Sequence, residues 1–183
     1  MNNLNNFWIL IDTTNKKKDT QLETYIKNGS NEYILRFIKL GGGPSLGSIS
    51  EKFSKFKFNI LQDRLKGDTT HDHVIFIDNK SIKIEQKTST LNKVNDFMWQ
   101  HIAEKHSWDI LLLMGIHYNE IYFFGLNKTT FKNLVNQGKI TNQGNKNKDS
   151  HQGMWFKYSN VKNDIKIIKS NEDLLELARN SSI

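Results

Sequence analysis

One run dominates the pattern of hydrophobic and polar positions. Residues 109–116, from Asp109 to Ile116, are almost continuously apolar, as in a strand covered on both faces. The turn at His117–Asn119 leads into a second strand over 120–126. Upstream, residues 74–77 and 81–88 read as two strands joined by a turn at Asp78-Asn79-Lys80. Residues 7–11 and 32–40 also read as strands, as do the short segments 155–158 and 165–168. Asp19 or Thr20 can cap a helix carrying Leu22, Tyr25 and Ile26, which Asn28-Gly29 ends. Gly41-Gly42-Gly43-Pro44 reads as a loop. Ser48 and Glu51 then have capping-box spacing, ahead of a helix with Phe53, Phe56, Ile60 and Leu61. Val94, Phe97, Met98, His101 and Ile102 recur at helical spacing, which predicts a helix between the hairpin and the apolar run. A helix near 130–135 and a last one capped by Asn171 complete the pattern, with a polar loop over 139–152 between them. The expected fold is α/β, a single domain with a central mixed β-sheet flanked by helices.

Composition narrows the class. With 183 residues, 37% hydrophobic and 25% charged, the chain is expected to be one globular domain. No apolar run approaches the roughly 20 residues of a membrane span. Met1–Asn6 is uncharged and predicts no secretory leader. Cysteine is absent, which excludes disulfides and thiolate zinc sites and suits an intracellular, cytoplasmic setting. The net charge of +7 suggests a polyanionic partner. Residues 127–169 hold nine Lys against Asp149 and Asp164, a surplus equal to that of the whole chain.

The chemistry concentrates in residues 70–88. Alternation along a strand puts Lys83, Glu85 and Lys87 on one face, so a carboxylate and an ammonium point into the same space. Asp72 starts the preceding strand. Counted back from the turn, it falls opposite the region of Glu85 to Lys87. Two carboxylates and a lysine thus meet at one end of a hairpin. Such a set suits phosphodiester hydrolysis. Oxygen ligands can hold Mg²⁺, and a lysine can orient the attacking water or offset charge in the transition state.

In these residues, Asp72 followed by Glu85-Gln86-Lys87, the chain resembles the PD-(D/E)XK nuclease superfamily over roughly residues 48–126. The residue before the first acid is His71, where the family's motif has Pro. Asp63, Asp68 and Asp78 are rival first acids. The resemblance implies a restriction-endonuclease-like fold. It also implies an intracellular enzyme that cuts double-stranded DNA with Mg²⁺, or Mn²⁺ in its place, as a type II restriction endonuclease acting as a homodimer. Asp72 and Glu85 would bind metal and Lys87 would assist the water. Glu51 would add a metal contact, unless it closes the Ser48 capping box. A repair nuclease and a non-enzymatic DNA-binding module with this fold are the alternatives.

The loop at 139–152 carries a second signal. Its amides and lysines, Lys139, Asn142, Gln143, Asn145, Lys146 and Lys148, have the chemistry to contact bases and phosphates. His71 and His73 flank Asp72, but alternation turns both away from it, which argues against a shared zinc site. His101 falls on the apolar face of the expected helix and reads as a core histidine. Gly41–Gly43 lacks the following Gly-Lys-Ser/Thr of a nucleotide P-loop.

Overall fold

The computed structural model describes residues 19–144 and 153–181. Among these residues three helices come first: α1 (Asp19–Lys27), α2 (Glu32–Lys39) and α3 (Pro44–Lys57). Strands β1 (His73–Ile77), β2 (Lys80–Thr90), β3 (Met98–Ile102), β4 (Ile110–Ile116) and β5 (Ile121–Asn127) follow. The remainder is α4 (Lys128–Asn136), β6 (Thr141–Asn142), β7 (Met154–Lys157), α5 (Tyr158–Val161), β8 (Lys166–Ile167) and α6 (Asn171–Arg179). Among the described residues no helix is long and apolar enough to cross a membrane. The strand expected over 7–11 lies outside them.

The expected α/β class holds. A five-stranded sheet has the order β1-β2-β4-β5-β8, and a three-stranded sheet has the order β3-β7-β6. The larger sheet is mixed: β2 and β4 are parallel, and the other pairs are antiparallel. Its centre is β4, buried at every position, as the continuous apolar run predicts. One face meets helices. Phe53 of α3 stacks on Phe123 at 6.1 Å, and Gly125 leaves room for Leu177 of α6. The opposite face meets the small sheet. A Cβ on Gly115 would lie 2.8 Å from the Phe97 ring, and fully buried Trp99 donates from Nε1 to Met114 O at 3.0 Å.

Several elements differ from the sequence pattern. Residues 32–39 are helical rather than extended. The Asn31 side chain accepts from Ile34 N, and Glu32 and Arg36/Lys39 sit at the ends that suit their charges. Helix α3 begins at Pro44 with Gly43 as its N-cap. Ser48 is therefore interior and no capping box forms there. Leu46, Ser50 and Ser54 become the buried face, whereas Phe56 is 88% exposed. The helix expected across 94–102 is instead a turn followed by β3. Asn92 Oδ1 accepts from both Val94 N and Asp96 N, and a bridge joins Leu91 to Phe97. At the last helix the cap is Ser170, one residue before Asn171, with Asp173 completing a capping box.

Candidate active site

The β1–β2 hairpin is tighter than its sequence suggests. Ile77 pairs with Lys80, so only Asp78 and Asn79 form the turn. Both have positive φ, 49° and 63°, as a two-residue hairpin turn of type I′ requires. The ladder therefore runs one residue out of step with a count based on a three-residue turn, and ends at His73 opposite Ile84. Just beyond it, the Asp72 amide donates to Ile84 O at 2.9 Å. The Asp72 carboxylate accepts from Gln86 N at 2.8 Å. Asp72 thus sits beside Ile84–Gln86 rather than across from Lys87.

Asp72, Glu85 and Lys87 do come together. Lys87 Nζ lies 2.6 Å from Glu85 Oε1, as expected of side chains two apart on one strand face. Asp72 Oδ1 has Arg64 Nη1 at 3.6 Å, and Arg64 also donates to His71 O. Glu85 is only 5% exposed, so its strand face is not the solvated one that alternation of charged residues implies. Burial pushes its carboxyl above the usual carboxylate range; the Lys87 ammonium opposes this, and the Asp72 charge adds to it.

β1 pairs with β2 no further than Ile84. Past that point the second half of β2 runs along a cleft of about 860 Å³. Its floor includes Asp72, Gln86, Lys87 and Ser89. One wall is the start of α3, from Gly43 to Glu51, and the other is β3 at Met98, Gln100 and His101. Glu51, freed of capping by the early start of α3, faces this cleft. Its carboxyl is raised by burial and then by the Asp72 charge, with Glu85 adding a smaller push. Three carboxylates therefore share one region with Lys87 and Arg64.

The donor set is all oxygen, and two of its members are held above their ordinary range by burial and by mutual repulsion, both of which a bound cation relieves. Among the described residues no group of three or more His, Asp or Glu side chains closes on one point to hold a metal by itself. Mg²⁺ commonly takes one or two carboxylates and fills its shell with waters and substrate phosphate. Asp72 and Glu85, with Glu51 near, fit that mode.

The pH dependence follows from these shifts. The unfolded chain loses its Glu51 and Glu85 protons first, near the ordinary value of 4.5, and the folded chain holds them higher. Without divalent cation, the contribution of these two carboxyls to stability is therefore expected to fall as pH rises from about 4.5 through the raised range, while buried His71 and His73, held below the ordinary imidazole value of 6.5 by burial, contribute in the opposite sense. Glu85→Gln should flatten that fall in thermal melts across this range. A wild-type melting temperature that does not fall relative to that of Glu85→Gln as pH rises over this window would contradict it.

The other expected site residues are placed as follows. Lys139 pairs with Asp164 at 2.8 Å. Asn142 is exposed on β6, opposite Met154 of β7. The Gln143 side chain contacts Gln100 and His101 of the cleft wall. Asn145, Lys146 and Lys148 lie outside the described residues. His73 is buried on the α3 side of the sheet, its Nε2 2.8 Å from Gln86 Oε1. His71 is buried beside Thr70 and Asp68. Arg64, Gln100 and His101 were not expected at the site. Arg64 had no motif to mark it, and misreading 94–102 as a helix hid the other two.

No family model, curated protein or solved structure matches the chain.

Proposed function

We propose that this chain is a divalent-metal-dependent endonuclease acting on double-stranded DNA, of the type II restriction kind and working as a homodimer. One observation carries the reading: Asp72, Glu85 and Lys87 converge at the open end of a β-hairpin, beside a cleft shared with Glu51. The basic surplus supports a polyanionic substrate. Two copies supply one site for each strand of a duplex.

Asp72 and Glu85 would hold the metal, with Glu51 nearby. A bound Mg²⁺ supplies a lowered water pKa and charge neutralisation at the phosphate oxygens. The protein's own groups do the rest. Gln86 N–H and Arg64 fix the Asp72 carboxylate from two sides. Glu85 keeps the Lys87 ammonium at the cleft floor. From there Lys87 orients a water toward phosphorus and offsets negative charge as the new P–O bond forms and the P–O bond to the leaving sugar oxygen breaks. The buried, apolar underside of β2 strengthens these interactions.

Metal substitution tests this directly. Duplex DNA should be cut with Mg²⁺ or Mn²⁺. Ca²⁺ should support binding without cleavage, since its larger and looser shell misplaces the water. Cleavage that survives exhaustive chelation would rule out the mechanism.

A further inference from the structure

The wall of the cleft opposite α3 is built unusually. Between Trp99, which pairs with Phe156, and Ile102, which pairs with Met154, β3 carries one residue more than β7. Gln100 and His101 occupy this bulge. His101 has φ 58°, a left-handed conformation uncommon outside glycine and costly without compensation. Two contacts hold it there. Gly153 packs so closely that a Cβ on it would lie 2.9 Å from Ile102 O and 3.1 Å from His101 C. The Gln143 side chain accepts from His101 N at 3.2 Å. Bulges re-aim side chains and concentrate beside active sites. This one turns both residues onto the cleft that holds Asp72 and Lys87.

Gln143 does a second thing. Its Nε2 donates to Gln100 Oε1 at 3.1 Å, while its own backbone N–H donates to Gly153 O at 2.8 Å. The Gln100 amide is thereby oriented: its oxygen is turned to Gln143 and its NH₂ is left as the cleft-facing donor. We propose that Gln100 and His101 contact the nucleic-acid chain from the wall facing α3, and that Gln143 is a positioning residue acting through both of them. This rests on the nuclease reading and assigns a substrate contact that the metal-and-lysine set does not. It also moves the contact from Gln143, which the sequence suggests as a base reader, to its partner on β3. The acceptor on the nucleic acid is a phosphate oxygen or a base edge.

The test is duplex binding in Ca²⁺, joined to steady-state cleavage in Mg²⁺. Gln100→Glu is isosteric and keeps an oxygen for Gln143, but presents a second oxygen where the donor was. It should weaken binding at least five- to tenfold, the scale of one lost hydrogen bond. Gln143→Ala should raise KM several-fold with kcat kept, and the loss in Gln100→Ala/Gln143→Ala should fall short of the sum of the two single losses, exceeding that of Gln100→Ala only by the part that runs through His101. His101→Gly should keep or raise the melting temperature, since glycine accepts positive φ freely, yet weaken binding. A loss equal on all duplexes assigns a phosphate contact, and a loss confined to one base pair assigns a base contact. Wild-type binding by Gln100→Glu and His101→Gly, or full additivity of the Gln100 and Gln143 losses, overturns the assignment alone. A wild-type protein that binds no duplex overturns the nuclease reading with it.

Discussion

Glu85→Ala and Lys87→Ala should each reduce DNA cleavage by at least 10²–10³-fold, the scale seen when a group that stabilises transition-state charge is removed. They should differ in everything else. Removing Glu85 takes away a buried carboxylate that folding already disfavours, so the metal-free protein should melt at or above the wild-type temperature at neutral pH. It also removes a negative charge from a site meant for phosphate, so duplex binding should hold or improve. Removing Lys87 instead leaves Glu85 buried without the ammonium 2.6 Å away. Losing one partner of a fully buried pair costs about 3–5 kcal/mol. Lys87 is 24% exposed, so a smaller loss, about 1–2 kcal/mol, is expected. Glu85→Gln/Lys87→Ala should recover most of that stability and none of the activity. Chemical denaturation of the three variants, together with a cleavage assay, checks both halves. Full activity in either single variant would end the proposal.

Asp72 separates charge from scaffold. Its carboxylate is a candidate metal ligand and also the acceptor for Gln86 N–H, where β1 stops pairing with β2. Asp72→Asn retains a side-chain oxygen for that N–H and removes the charge. It should fold normally and lose cleavage to the same degree as Glu85→Ala. Asp72→Ala removes the acceptor as well. The Gln86 amide then lacks a partner in a residue that is 5% exposed, which costs about 1–3 kcal/mol. Equal stability of the two variants in a urea titration would show that the hydrogen bond is replaced by solvent. Retained cleavage in Asp72→Asn would remove Asp72 from the site.

The hairpin that carries the candidate site was legible because alternation and a turn cluster coincide there. Its register was not, because the turn could have two or three residues, and only the positive φ of Asp78 and Asn79 decides. The misread helix over 94–102 has a definite cause. Of the residues at helical spacing, Val94 and His101 are exposed and only Phe97 and Ile102 are buried; the bulge between Trp99 and Ile102 interrupts the alternation that would have marked β3 as a strand. Residues 32–39 failed in the opposite sense. Their apolar density looks extended, and the helix shows only through the Asn31 cap and the charges at its two ends. For Glu51 the sequence leaves two roles open, a metal contact or a capping box with Ser48 three residues before it; Gly43-Pro44 starts the helix earlier and leaves Glu51 for the cleft. The basic segment was counted correctly as charge, yet part of it is already engaged. Lys139 pairs with Asp164, Lys166 pairs with Glu176, and Lys128 donates to two carbonyls over the Trp108 ring.

The most direct test of the central claim is incubation of a supercoiled plasmid with Mg²⁺ and either the wild-type protein or Lys87→Ala, purified side by side. The account predicts discrete linear fragments from the wild type and intact plasmid from Lys87→Ala. Intact plasmid in both, or the same fragments in both, would contradict it.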